Sequence, residues 1–255
     1  MTGKQDDHKA RTTTSRTRSR QRPLAAAVAL GLLLGLGTSV THAAESHWKG
    51  TDSSDWGDVV NWDVAPTAGS NVIIDTTSPH ASVLAQQGAE INQLTVGDEA
   101  TGTLALSAGG TLVVNGSDDY GSGMVLGSAD GSEGDITVNG EGSTLTVEQG
   151  AQIGSAGKGA LTVVSGGTAN LALTPDYEEV LVGFGFYGQL PDSAGGSGSI
   201  VVDGAGSAVN YAGGMNLLNG SITVSDGGTL DSQSRGDGGW LDIVGFGRVA
   251  NDPDS

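Results

Sequence analysis

The sequence predicts an all-β protein built as a parallel β-helix, a solenoid in which each coil of the chain stacks on the one before. Glycine accounts for 44 of the 255 residues, well above its usual share, and proline for only 6. Short apolar segments repeatedly end on glycine, and apolar and polar residues alternate between them with the period of a half-buried strand.

The first 43 residues have the layout of a secretory signal peptide with a long basic segment in front. Seven of the 11 basic residues precede Pro23, and the apolar segment 24–36 follows. Thr41 and Ala43 supply the small residues that a cleavage site needs. The apolar segment is shorter than the roughly 20 residues that span a bilayer. We therefore expect cleavage and export rather than a retained membrane anchor.

The charge of the chain excludes nucleic acid as a partner. The whole chain has a formal net charge of −18, and the four basic and 27 acidic residues after residue 43 give the remainder −23. Binding to phosphate backbones depends on Lys and Arg, which are scarce there. The chain has no cysteine. An exported domain of this kind is therefore expected to be stabilised by packing and hydrogen bonds instead of disulfides.

Residues 44–92 form the first predicted unit after the leader, a Trp-rich β cap. It contains Trp48, Trp56 and Trp62, and residues 71–75 have the pattern of a strand. We interpret the tryptophans as an apolar cap, because the first coil of a solenoid otherwise leaves an open sheet edge. A platform that stacks on sugar rings is the alternative.

Residues 93–255 form the second predicted unit, in which two phrases recur. The first is a short strand that closes on glycine, found at Leu94–Gly97, Met124–Gly127, Ala151–Gly154, Val180–Gly183 and Leu241–Gly245. The second is a strand, a bend of small residues and another strand, found at 102–114, 134–147, 159–173, 198–211 and 220–232. One such unit cannot bury its apolar face alone, but stacked copies can.

The spacing of these phrases predicts how the coils stack. With about 20 residues per coil, about ten coils would pair as parallel strands and rise roughly 45–50 Å. Extra residues would leave as loops at Asn115-Gly116, 174–177 and 185–198. An antiparallel sandwich is the alternative, although the repeats lack the fixed hairpin spacing and core aromatics of that fold.

The repeat phrases resemble those of bacterial autotransporter (type V secreted) passengers and of some surface-sorted exoproteins. The stretches Leu94–Gly127, Gly127–Gly154 and Gly154–Gly183 carry the resemblance best, and the opening from Trp48 to Asp75 is also similar. The resemblance implies a right-handed parallel β-helix on the surface of a Gram-negative bacterium, with an adhesive role. It also implies a C-terminal outer-membrane barrel, so we expect this chain to be an N-terminal fragment.

Paired acidic residues are the candidates for catalysis, because glycoside hydrolysis needs two carboxylates about 5–10 Å apart. The pairs are Asp118 with Asp119, Glu133 with Asp135, and Glu178 with Glu179. All lie in or beside turns, with few basic residues nearby. Acid-rich turns at 117–119 and 128–133 could bind calcium, but the nonapeptide calcium repeat and the EF-hand loop are absent. We predict no catalytic, cofactor-binding or metal-binding residue.

The tripeptide Arg235-Gly236-Asp237, which some host integrins recognise, is the candidate adhesion site. It lies in a Gly-rich loop, although three residues match easily by chance. The sequence thus favours a non-enzymatic surface passenger that binds a host or neighbouring-cell ligand or acts as a stalk. A β-helical enzyme acting on extracellular polysaccharide is the alternative.

Overall fold

The computed structural model describes residues 43–116, 122–173, 179–183, 195–233, 241–243 and 248–251. In these residues the chain is all-β. The strands, in chain order, are β1 Glu45–His47, β2 Asn71–Ile74, β3 Ser82–Leu84, β4 Ala89–Ile91, β5 Gln93–Val96, β6 Thr101–Leu106, β7 Thr111–Val114, β8 Met124–Leu126, β9 Glu133–Asn139, β10 Thr144–Val147, β11 Ala151–Ile153, β12 Lys158–Val164, β13 Thr168–Leu171, β14 Glu179–Val182, β15 Ser197–Asp203, β16 Ala208–Tyr211, β17 Gly214–Leu217, β18 Gly220–Ser225, β19 Thr229–Ser232, β20 Leu241–Ile243 and β21 Arg248–Asn251.

Only one helical turn, the 3-10 helix Val59–Asn61, occurs in this part of the chain. Among the described residues no helix is long and apolar enough to cross a membrane. The apolar segment of the predicted signal peptide lies outside the described residues, so the leader stays a prediction.

The strands form three sheets, and successive coils add one strand to each. Sheet 1 has the spatial order β1-β2-β5-β8-β11-β14-β17-β20, sheet 2 the order β3-β6-β9-β12-β15-β18-β21, and sheet 3 the order β4-β7-β10-β13-β16-β19. Each named strand that pairs does so in parallel; Leu145 of β10, for example, lies between Leu112 of β7 and Ala169 of β13. The predicted parallel β-helix is confirmed, and the antiparallel sandwich is not the fold.

The predicted number of coils was wrong. Within the described residues the largest sheet has eight strands rather than about ten. Coils are longer than the predicted length of about 20 residues; Met124, for example, has Ala151 as its register partner in the next coil. The turns at the corners, such as residues 139–143, add to the length of a coil without adding a strand.

Inward-facing residues of each strand line up through the stack to form the core. Alternation along a strand sends every second side chain inward, and the parallel register places equivalent side chains directly above one another. One such row crosses sheet 1 and is fully buried: Ile74, Val96, Leu126, Ile153, Val182 and Leu217. Each side chain of this size stabilises the fold by about 1.5–3 kcal/mol on burial.

The corner between sheets 1 and 2 explains why the first repeat phrase ends on glycine. Gly97, directly after β5, has φ of +71°, and a Cβ there would lie 2.2 Å from the carbonyl oxygen of Glu133 in the next coil. Gly134 of β9 faces the same corner, where a Cβ would lie 1.8 Å from the carbonyl oxygen of Val96. Backbone therefore meets backbone at this corner, and a side chain has no room.

Two kinds of turn alternate at the corner between sheets 2 and 3. Residues 107–110 form the shorter kind and residues 139–143 the longer kind. Ser143, which is 1% exposed, donates a hydrogen bond to the carbonyl oxygen of Asn139 (2.8 Å) and accepts one from the N–H of Gly109 in the preceding turn (3.1 Å). Each longer turn thereby satisfies a donor of the shorter turn below it.

The three tryptophans of the first unit pack together at the start of the stack. The Trp62 ring meets Trp48 edge-on with centroids 4.9 Å apart, and meets Trp56 in the same way at 4.7 Å. All three are at most 4% exposed. Rings buried to this extent offer no face on which a sugar could stack. The chain around Trp56 also pairs with the outer edge of β3, since its N–H donates to the carbonyl oxygen of Val83.

Asn61 closes the loop that carries these tryptophans. Its side chain is fully buried and satisfied: Oδ1 accepts from the N–H groups of Asp52 (2.9 Å) and Ser53 (3.1 Å), and Nδ2 donates to Ser53 Oγ (3.0 Å) and to the carbonyl oxygen of Asp55 (2.9 Å). Four hydrogen bonds from one buried amide fix the path of residues 52–61.

Candidate functional site: a charged groove on sheet 2

A groove opens where three neighbouring strands of sheet 2 begin. The parallel register places Glu133 of β9, Lys158 of β12 and Ser197 of β15 side by side. Two residues further along, Asp135 and its partners on β12 and β15 form a second row on the same face. Alternation along the strands turns both rows outward, since the glycines between them face the corner with sheet 1.

The groove has a volume of about 260 Å³ and is open to solvent. Its lining consists of Glu133, Asp135, Lys158, Gly159, Ala160, Ser197, Gly198 and Ser199. On β12 and β15 the second row carries the small side chains of Ala160 and Ser199. Small side chains next to the long ones of Glu133 and Lys158 leave the space that forms the groove.

Of the two carboxylates in the groove, Glu133 is paired with a cation among the described residues and Asp135 is not. Lys158 Nζ donates a hydrogen bond of 2.7 Å to Glu133 Oε1, and this bond together with the charge of Glu133 raises the pKa of Lys158. Desolvation raises the pKa of Asp135, and the neighbouring charge of Glu133 raises it further. The side chain of Asp135 forms no hydrogen bond with a described residue. The groove therefore presents one ion pair and one uncompensated carboxylate.

This combination suits the binding of a polar, positively charged group. Two serine hydroxyls can both donate and accept hydrogen bonds, and Asp135 supplies the net negative charge. No aromatic residue is among the lining residues. Glu133 and Asp135, one of the acid pairs considered from the sequence, do share one face of β9. Glu133, however, is hydrogen-bonded to Lys158 and so is not a free carboxylate opposite Asp135.

The other candidate residues from the sequence lie elsewhere. The adhesion tripeptide Arg235-Gly236-Asp237 falls outside the described residues, as do Asp118, Asp119 and Glu178. Glu179 accepts a hydrogen bond from Asn216 Nδ2 (2.8 Å). These residues stay predictions where the structure does not describe them.

The acid-rich turn at 128–133, considered for calcium, is closed by its own hydrogen bonds. Ser132 Oγ donates to the carbonyl oxygen of Ala129 (2.8 Å) and accepts from the N–H of the same residue (3.1 Å). Glu133 is directed to Lys158 instead of into the turn. Within the part of the chain that the structure describes, no group of three or more His, Asp or Glu side chains could hold a metal ion.

We did not predict the groove from the sequence, although a signal for it exists. Gly134, Gly159 and Gly198 are register partners. The residues that precede them, Glu133 and its partners, must therefore be neighbours once the glycines are aligned. Aligning the repeat phrases on these glycines would have brought an acid, a base and a hydroxyl together.

The chain is thus a parallel β-helical solenoid with a polar, charged groove on the outer face of sheet 2. In sequence, 111 residues (44% of this chain) are 35% identical to the adhesin BmaC autotransporter of Brucella suis biovar 1 (strain 1330). The matched region covers 3% of the length of that protein. No protein-family model matches this chain, and no solved structure matches it.

Proposed function

We propose that this chain is part of the passenger of an autotransporter adhesin, exported to the surface of a Gram-negative bacterium. The observation that carries the proposal is the uninterrupted parallel stack of short strands, combined with partial identity to a protein named as an autotransporter adhesin. In the full-length protein, a C-terminal outer-membrane barrel would attach the passenger to the cell. Its partner would be a ligand on a host or neighbouring cell.

We propose that the chain acts by displaying binding groups on a rigid scaffold and that it catalyses no reaction. Seven steps of about 4.8 Å between the eight described strands of sheet 1 give a rise of about 34 Å. Every coil is bonded to the next through parallel strands, so the stack acts as a stiff stalk that positions surface groups away from the membrane. The acid pair in the groove gives no independent support to an enzyme, because Glu133 is held by Lys158.

Surface display tests this function. Bacteria that carry residues 44–255 fused to an unrelated outer-membrane barrel are compared with bacteria that carry the barrel alone, for attachment to epithelial monolayers and to one another. We expect more attachment with the chain present. Equal attachment by both strains, with the chain shown at the surface by protease shaving, contradicts the adhesive role. Release of sugar fragments from acidic or neutral glycans contradicts the non-enzymatic role.

The tripeptide Arg235-Gly236-Asp237 is proposed as one adhesion determinant. Asp237→Glu keeps the charge but lengthens the side chain, so an integrin-like receptor should no longer accept it. Asp130→Glu, at an exposed position of the Gly-rich turn 128–133, is the matched control. Attachment that falls with Asp237→Glu but not with Asp130→Glu supports a role of the tripeptide in adhesion. Equal attachment of the two variants contradicts that role.

A further inference from the structure

We infer that the groove on sheet 2 is a binding site for a sugar unit that carries a free ammonium group, a hexosamine. Asp135 would bind the ammonium, while Ser197, Ser199 and the Glu133–Lys158 pair would bind the ring hydroxyls. This inference deepens the proposed function by naming a ligand class. It rests on that function only for the source of the sugar, since the groove belongs to the chain itself.

The groove contains one carboxylate, that of Asp135, whose charge no neighbouring cation in the described part of the chain balances. The charge of Glu133 is balanced by Lys158 at 2.7 Å, whereas the side chain of Asp135 has no hydrogen-bond partner among the described residues. A cation that enters the groove therefore meets an excess of one negative charge. Partial desolvation at Asp135 strengthens its attraction for a cation, because opposite charges interact more strongly where water is displaced.

Two serine hydroxyls line the groove beside these charged groups. Ser197 lies beside Lys158 in the register, and Ser199 lies beside Ala160. Neither serine side chain is bonded to a described residue, so both hydroxyls are available to a ligand. A ring with several hydroxyls needs neighbouring donors and acceptors of this kind, and the Lys158–Glu133 pair supplies one more of each.

The volume and the lining of the groove fit a single sugar ring. A volume of about 260 Å³ is below the roughly 300–1,000 Å³ of sites for drug-sized ligands, which fits one ring unit. The side chain of a partner's lysine or arginine would also bring a cation. Its methylene groups, however, would need an apolar wall, and only Ala160 among the lining residues provides an apolar side chain. The lining therefore favours the sugar over a protein side chain.

Titration of the purified, exported chain with single compounds tests the site. We expect saturable binding of glucosamine by NMR shift perturbation of residues 133–135 and 197–199. N-acetylglucosamine and glucose, which lack the ammonium, should bind at least about tenfold more weakly, since a charge-assisted hydrogen bond is lost. Binding of all three sugars with equal affinity overturns the assignment, and so does the absence of binding by glucosamine.

Variants separate the site from general charge effects. Asp135→Asn should lower glucosamine affinity at least about tenfold, and Asp130→Asn, which changes the net charge equally, should leave it unchanged. A carboxyl whose pKa is raised by folding is less favourable in its charged form in the native state. Asp135→Asn should therefore fold with an unchanged or slightly higher melting temperature, so that lost binding cannot be ascribed to unfolding.

Unchanged glucosamine affinity in Asp135→Asn overturns the proposal. If methylguanidine binds more tightly than glucosamine, the groove prefers a protein side chain such as arginine, and the assignment to a hexosamine is overturned. Because binding is measured on the purified chain, a failed attachment experiment with intact glucosamine binding contradicts the adhesive role alone. Increased attachment together with an absence of glucosamine binding contradicts only the assignment of the groove as a hexosamine site.

Discussion

The hydroxyl of Ser143 accepts a hydrogen bond from the N–H of Gly109, 3.1 Å away, although 34 residues separate them along the chain. The same contact recurs between Ser207 and Gly166 at 3.0 Å and 41 residues. In both cases the serine also donates to the carbonyl oxygen four residues before it. The corner between sheets 2 and 3 therefore joins coils in pairs, a two-coil repeat superimposed on the one-coil stack.

Removing this hydroxyl should destabilise the stack measurably. Ser143→Ala leaves the N–H of Gly109 without its acceptor in a buried turn, at a cost of about 1–3 kcal/mol. Ser221→Ala is the control, because Ser221 faces outward on β18 and its side chain is bonded to no described residue; its effect should be within about 0.5 kcal/mol. Chemical denaturation followed by circular dichroism measures both. Equal stability of the two variants would show that the paired turns are not coupled.

The glycine corner between sheets 1 and 2 should tolerate no side chain. A Cβ at Gly134 would lie 1.8 Å from the carbonyl oxygen of Val96, so Gly134→Ala forces the coils apart and should cost about 3 kcal/mol or more. Gly69→Ala, where a Cβ would meet nothing within 4 Å, should be neutral or slightly stabilising. Thermal unfolding of both variants measures the difference. A melting temperature of Gly134→Ala equal to that of the control contradicts the close approach.

The buried amide of Asn61 should hold the tryptophan cluster together. Asn61→Asp replaces the two donors of Nδ2 with an oxygen that faces Ser53 and the carbonyl oxygen of Asp55, which should loosen the cap by several kcal/mol. The measurement is tryptophan fluorescence, which should shift to longer wavelength as Trp56 and its neighbours gain exposure. Asn115→Asp, where the native amide bonds to Glu90 on the surface, should leave the emission unchanged.

Asp63 should make the stability of the segment that carries the three tryptophans depend on pH. Desolvation acts to raise its pKa, but the N–H groups of His47 and Val64, together with the charges of His47 and Lys49, outweigh it and hold the pKa below its ordinary value. The native state thus favours the ionised form, and this contribution is complete above about pH 4 and lost as the pH falls through the depressed pKa. Asp63→Asn should be less stable than the native chain at neutral pH.

The pH dependence of that difference is the informative quantity. The gap in unfolding free energy between the native chain and Asp63→Asn should shrink as the pH falls below about 4. Asp52→Asn is the control, since Asp52 is exposed and its side chain is bonded to no described residue. A gap that stays constant down to about pH 2 contradicts the role of the two N–H groups.

Much of the fold could be predicted because glycine marks the coils. The strand-and-glycine phrase located β5, β8, β11, β14 and β20, which are all members of sheet 1. It missed β17 of the same sheet, since Leu218-Asn219 follows that strand in place of glycine. The second phrase located strand pairs such as β6 and β7, but these two belong to different sheets because the bend between them turns a corner.

The candidate groove could not be read in the same way. It depends on residues from three coils, and the number of residues per coil follows no rule in the sequence. The step along the chain from Glu133 to Lys158 is much shorter than the step from Lys158 to Ser197, its partner on the other side. Only the strand register brings the three together, and the register is set by the packing of the inward row.

A single distance tests the stacked β-helix most directly. Ala105 of β6 and Thr223 of β18 face outward in one row of sheet 2, four strand steps apart. The chain has no cysteine, so spin labels attach only at Ala105→Cys and Thr223→Cys. At about 4.8 Å per step, double electron–electron resonance should give one narrow distribution of label-to-label distances centred near about 19 Å. Only the flexibility of the labels should broaden it. A broad distribution, or one centred beyond about 30 Å, would contradict a stiff parallel stack.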